Sequence, residues 1–280
     1  MLIGHLKQKK YFKNLIENGS LGHAYLFSGP EMIGKKTFAC EFAKTILGNG
    51  LDKNFDFKLI SPKTEDGESK IYIEDIRDLK KLFLLKTHEG GFRVVVIDNA
   101  HCLTIEASNA LLKLLEEPPA RSVIILVSSA PGLILPTVVS RCENVGFLAV
   151  GQKEVDDYLV ENKVKKEDKE FLAKLAGGRV GLISRLLEAD GILEARKAVD
   201  DLRKLLGSRI YEKLEYAKKI HEKGDYQPRI DYWLNWVSAH VASSPKNEKI
   251  VKNLLVLNQL ISQPQFNHRL ALENFLLNLQ

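Results

Sequence analysis

At 280 residues with 45% hydrophobic content, the chain is long enough for two or three packed domains of a globular protein. Its net charge of +5 comes without a dense basic run interleaved with aromatics, so it is compatible with a nucleic-acid partner without indicating one, and the Lys7, Lys9, Lys10 and Lys13 cluster reads as a solvated helix face. No run of about 18 apolar residues offers a membrane span, and MLIGHLKQKK at the start has no apolar signal core, so a cytoplasmic protein with no membrane partner is expected.

Apolar runs predict strands at 24–28, 57–60, 93–97, 123–128 and 144–148. They alternate with helical periodicity at 5–18, 35–47, 73–86, 106–117 and 151–162, the rhythm of a parallel sheet covered by helices. The polar stretch Ser61–Gly67 reads as the one clear loop of this part. Beyond residue 150 short helices meet a joint at Gly177-Gly178. From about 191 only helical periodicity remains, near 191–206, 209–222, 228–242, 247–263 and 266–279, with Trp233 and Trp236 as a buried stripe. The expected organisation is an α/β core over 1–150, a small helical domain over 151–190 and an all-helical domain over 191–280.

The strand 24–28 runs into Gly29-Pro30-Glu31-Met32-Ile33-Gly34-Lys35-Lys36-Thr37 and then a helix, the frame of a phosphate-binding loop in which backbone N–H groups and a helix N-terminus hold phosphates. Gly29, Gly34 and Lys35 fit that frame. Position 36 should offer a hydroxyl to magnesium and is Lys, while Thr37 projects about 100° further round the helix; a bulky Met32 stands where glycine often sits. A strand-to-helix turn that holds no ligand therefore stands beside residual ATP or ADP binding. The strand 93–97 ends in Asp98, a carboxylate suited to magnesium, but Asn99 follows it, and an amide cannot act as a general base. Ser128 and Ser129 close the strand at 123–127. Leu135–Cys142 reads as a short helix presenting Arg141, a guanidinium able to meet a phosphate in its own site or a neighbour's. Glu116-Glu117-Pro118-Pro119 is ordinary helix-stop chemistry, and His23 and His101 read as packing or hydrogen-bonding residues. Cys40, Cys102 and Cys142 lack ligand spacing, so neither zinc nor a disulfide is expected.

Together HAYLFSGP at 23–30, SNALLKLLEEPP at 108–119, LPTVVSRC at 135–142 and NHRLALENFLLNL at 267–279 resemble the clamp-loader family of AAA+ proteins. The resemblance implies a P-loop core, a helical lid and a helical collar, assembled with gamma/tau and delta subunits into a ring that places a sliding clamp on primed DNA. It implies that Lys35 is the P-loop lysine, Asp98 the magnesium-binding acid, and Arg141 the arginine that reaches an adjacent subunit's ATP. Lys36, Asn99 and Gly181, the last standing where gamma-type subunits have a sensor arginine, depart from the active pattern. The family's cysteine-rich zinc module is missing, since residues 48–70 contain no cysteine. The implied role is a ring member that hydrolyses no ATP itself and supplies Arg141 in trans; the alternative is an active, DNA-stimulated ATPase of the gamma/tau type.

Overall fold

The computed structural model describes residues 2–48, 51, 54–65, 68–85, 91–188, 190–241, 244–263 and 265–279. The chain forms two compact units that part between Glu154 and Val155.

The first unit is built on five parallel strands, β1 (Ala24–Ser28), β2 (Phe57–Ile60), β5 (Arg93–Ile97), β6 (Ser122–Ser128) and β7 (Glu143–Gly146), in the order β2-β5-β6-β1-β7. The central strands β5, β6 and β1 are apolar at nearly every position because both their faces are covered, while the edge strands β2 and β7 are largely exposed. Alternate residues feed opposite cores. Leu26, Val95, Ile97, Ile124 and Leu126 pack with Ile76 and Leu79 of α3 (Ile73–Leu84) and Leu111 and Leu115 of α4 (Ile105–Glu116). Tyr25, Phe27, Val94, Val96 and Ile125 pack with Phe12 of α1 (Leu6–Glu17) and Phe38 and Phe42 of α2 (Lys35–Leu47).

Local chemistry sets the helix ends. Gly48 ends α2 in the left-handed region at φ 70°, and the Thr104 hydroxyl caps α4 by accepting from the Ala107 N–H at 3.2 Å. The short α5 (Pro136–Val139) carries proline in its first turn, where no N–H is needed. Within the stretch expected as a loop at 61–67, Lys63–Glu65 instead form β3, paired antiparallel with β4 (Glu68–Lys70); residues 66 and 67 lie outside the described ones. The inter-strand Thr64–Ser69 hydroxyl contact of 3.0 Å replaces the apolar alternation that normally announces a strand.

The second unit is helical: most of α6 (Gln152–Glu161), then α7 (Lys166–Ala176), α8 (Val180–Leu187), α9 (Gly191–Leu205), α10 (Ile210–Lys223), α11 (Tyr226–Ala239), α12 (Pro245–Ile261) and α13 (His268–Leu277). Trp233 is buried and donates to the Ala198 carbonyl at 2.7 Å, giving its indole N–H the partner burial demands. Trp236, expected in the same buried stripe, is only half-buried: it stacks on Phe171 and lies under the Arg203 guanidinium. Three residues turn a helix about 300°, so the two indoles do not share one bearing. Among the described residues no helix is long and apolar enough to cross a membrane.

Candidate functional site

Because β6 lies between β1 and β5, the ends of three parallel strands bring the phosphate loop, Asp98 and the Ser128-Ser129 pair to one edge of the sheet. Ligand crevices of open α/β sheets form at such strand ends. Ser28 is in register with Ser128, and Ile97 with Leu126.

The loop has the conformation its glycines allow. Gly29 sits at φ 145°, where an added Cβ would drive into the Phe147 carbonyl, and Gly34 starts α2 at φ 99°. Met32 is also left-handed, at φ 58°, a position that costs an L-residue roughly 1–2 kcal/mol. His5 bonds the Ile33 carbonyl at 2.7 Å and stands edge-on to Phe147, fixing the far side of the loop. Burial pushes its imidazole below the ordinary value, so it is held neutral.

Two lysines meet the loop's needs from within. Lys35 is only 6% exposed, and its ammonium donates to the Gly29 carbonyl at 2.7 Å and to that of Pro30. Burial lowers its pKa, with Glu31 and Asp98 partly compensating. Lys36 extends from the first turn of α2 to place its Nζ 3.0 Å from Asp98 Oδ2 and 3.5 Å from Ser61 Oγ. Asp98 therefore has an organic cation where a metal-binding carboxylate would hold magnesium. Thr37, the other hydroxyl of the motif, is exposed.

The neighbouring polar groups are engaged as well. Ser129 donates to Glu31 Oε1 at 3.1 Å, tying a carboxylate of the phosphate loop to the end of β6. Ser128 is fully buried; its hydroxyl meets His101 Nδ1 at 3.1 Å and accepts from the Ala130 N–H at 3.1 Å. Burial lowers the His101 pKa, opposed by Glu31 and Asp98 and reinforced by Lys35. Asn99 precedes the short 3-10 turn Ala100–Cys102 in the left-handed region, at φ 49°. Glu31 and His101 are thus part of the site, although sequence reading gave neither a role. The one available signal is an acidic residue inside a phosphate loop, which opposes an anion there.

Arg141 follows α5. It donates to the Thr137 carbonyl at 2.8 Å and to Glu116 Oε1 at 2.7 Å, and its side chain keeps 35% of its exposure. These partners lie on its own turn and at the end of α4, not on the phosphate loop. Glu116 belongs to the Glu-Glu-Pro-Pro segment, so the helix stop also orients the guanidinium. Gly181 lies in the first turn of α8.

Among the described residues no three His, Cys, Asp or Glu side chains stand together as a metal site. Cys40, Cys102 and Cys142 are unbridged. Burial raises all three thiols above their ordinary value, that of Cys142 to about 12, which leaves them protonated at neutral pH.

A family profile described as "DNA polymerase III, delta subunit" matches residues 4–150. Among curated relatives, the DNA polymerase III subunit delta' of Pseudomonas aeruginosa is 30% identical over 208 residues, covering 67% of this chain and 62% of its own length. The corresponding subunit of Bacillus subtilis is 30% identical over 216 residues, 71% of this chain and 64% of its own. The Bacillus subtilis subunit tau is 29% identical over 243 residues, 79% of this chain and 43% of its own. The matches therefore span less than two thirds of these relatives' lengths. A solved gamma subunit-related protein of DNA polymerase III from Thermotoga maritima aligns over 96% of this chain and 97% of that one, with a TM-score of 0.64 and 22% identity, a likeness of fold.

Proposed function

The chain belongs to the DNA polymerase III delta-subunit family of clamp-loader proteins, and from that premise we propose that it is a delta-prime-like ring member that hydrolyses no ATP itself and supplies Arg141 to an ATP site on an adjacent subunit. In this role residues 1–150 are the P-loop core, 151–190 the lid and 191–280 the collar. The partners are gamma/tau and delta subunits, and through them a sliding clamp and primed DNA. No cofactor is required of this chain.

The observation that carries the reading is a phosphate loop satisfied by its own side chains. Lys35 is turned onto the Gly29 and Pro30 carbonyls, Lys36 onto Asp98, and Ser129 onto Glu31. Asn99 adds to this, since an amide has no basic lone pair with which to activate water. The residues offered for magnesium do not fit it: a hard divalent ion needs oxygen ligands at about 2.0–2.1 Å in near-octahedral array, and position 36 brings a positive charge instead. Arg141, by contrast, is built for action outside its own loop. It is half-exposed and held from two sides by Glu116 and Thr137, and its planar fork suits the charge that develops on a transferring phosphoryl group.

The test of the first half is ATP hydrolysis by the purified chain with primed DNA and clamp. No turnover above background is expected, and Lys35→Ala should scarcely change loading by the reconstituted complex. Turnover abolished by Lys35→Ala would instead identify an active ATPase of the gamma/tau kind.

A further inference from the structure

Lys36 is the residue that departs furthest from a metal-dependent phosphate loop, and its surroundings give the departure a physical meaning. Its ammonium lies 3.0 Å from Asp98 Oδ2 and 3.5 Å from Ser61 Oγ. Asp98 follows β5 and Ser61 follows β2, adjacent parallel strands with Ile60 opposite Ile97. A carboxylate and a hydroxyl thus converge on one point beyond two neighbouring strand ends, and a lysine from the start of α2 reaches that point. The Asp98 side chain is 13% exposed, so its charge is largely removed from water and needs a counter-ion. A divalent cation approaching the same carboxylate oxygen would have to occupy the space of the ammonium.

We propose that the Lys36 ammonium is a covalently attached replacement for the divalent cation: it neutralises Asp98 between the ends of β2 and β5 and keeps magnesium out. The proposal deepens the reading of a loop that does not hydrolyse ATP, and it gives that loss a structural cause at Lys36 as well as at Asn99. It also defines what shortening the side chain uncovers: an oxygen site of Asp98, Ser61 and water, open to a hard cation. Cys40 lies one turn further along α2, so Mg2+ is the appropriate probe, since softer ions would seek the thiol.

The test is thermal unfolding of the intact chain with and without MgCl2, at matched ionic strength, for the wild type, Lys36→Ala, Lys36→Thr and Lys36→Ala/Asp98→Asn. The wild-type Tm should not respond to Mg2+. Lys36→Ala and Lys36→Thr should melt lower, and Mg2+ should raise both in a saturable way. For a site of about 1 mM affinity, about 10 mM Mg2+ should raise Tm by roughly 3–6 °C. The double variant, lacking the carboxylate, should not respond. Either of two results overturns the proposal: a saturable Mg2+ response of the wild type, or no response in both single variants. Hydrolysis of ATP by the wild type would defeat the functional reading without altering these four melting curves, so the two failures are distinguishable.

Discussion

Arg93 begins the strand that delivers Asp98 to the site, and its guanidinium is buried. Nε and Nη2 donate to Asp56 Oδ1 at 3.1 and 2.8 Å, and Nη1 to the carbonyls of Leu82 and, at 3.1 Å, Leu85. The two side chains keep only 4% and 7% of their exposure, so solvent screens the pair little. Arg93→Leu would take from the buried Asp56 carboxylate the two donors of the guanidinium and remove a donor from the Leu82 and Leu85 carbonyls at the end of α3. Breaking a buried pair from one side costs about 3–5 kcal/mol. At about 2–4 °C per kcal/mol for a unit of this size, the melting temperature should fall by roughly 6–20 °C. Scanning calorimetry is the suitable assay because the two units need not melt together. A double-mutant cycle with Asp56→Leu should return a coupling above about 2 kcal/mol, since the two residues share one desolvated network. A coupling below about 0.5 kcal/mol, the scale of an exposed ion pair, would refute the reasoning.

Two further outcomes follow from the same geometry. Glu116→Ala removes the ion-pair hold on Arg141; it should change the stability of the isolated chain by less than about 1 kcal/mol while slowing clamp loading by a reconstituted complex by about 10–100-fold, and unchanged loading would reduce Glu116 to a local surface partner. His5 and His101 both titrate below the ordinary 6.5, chiefly through burial, so the unfolded chain takes up protons first as pH falls. The stability they contribute is complete above 6.5 and is lost as pH drops toward their folded values. Melting temperature should therefore fall from about pH 7.5 to about pH 5.5, and less steeply in His5→Gln/His101→Gln; equal slopes would remove these residues from the account.

The central strands of the sheet were legible because strands covered on both faces demand continuous apolar runs, as at 24–28 and 93–97, whereas the exposed edge strand expected at 144–148 lies at Glu143–Gly146. The hairpin at 63–70 was not, because charged and hydroxyl residues make its ladder. Arg93 reads as the polar edge of an apolar run, and nothing local reveals that Asp56 buries with it. The same limit governs the site. Lys36 and Asp98 are each visible in the sequence as parts of motifs, but their ion pair joins residues that only the order of β5, β6 and β1 brings together. Glu31 with Ser129, and Glu116 with Arg141, are likewise contacts between motifs. Motif reading supplies the residues; the sheet order decides which of them meet.

The central claim is that Arg141 acts on a neighbour's nucleotide. Its most direct test is ATP hydrolysis by a complex reconstituted from gamma/tau and delta chains with wild-type, Arg141→Ala or Arg141→Lys protein, in the presence of primed DNA and clamp. Trans arginines contribute roughly 10³–10⁵ in rate in GTPases, whereas the exposed pair with Glu116 holds at most about 1 kcal/mol of fold stability. Arg141→Ala should therefore assemble normally and lose most hydrolysis at the adjacent site together with loading. Arg141→Lys should recover little, because an ammonium lacks the planar fork. An alanine variant that assembles, hydrolyses and loads at wild-type rates would contradict the claim.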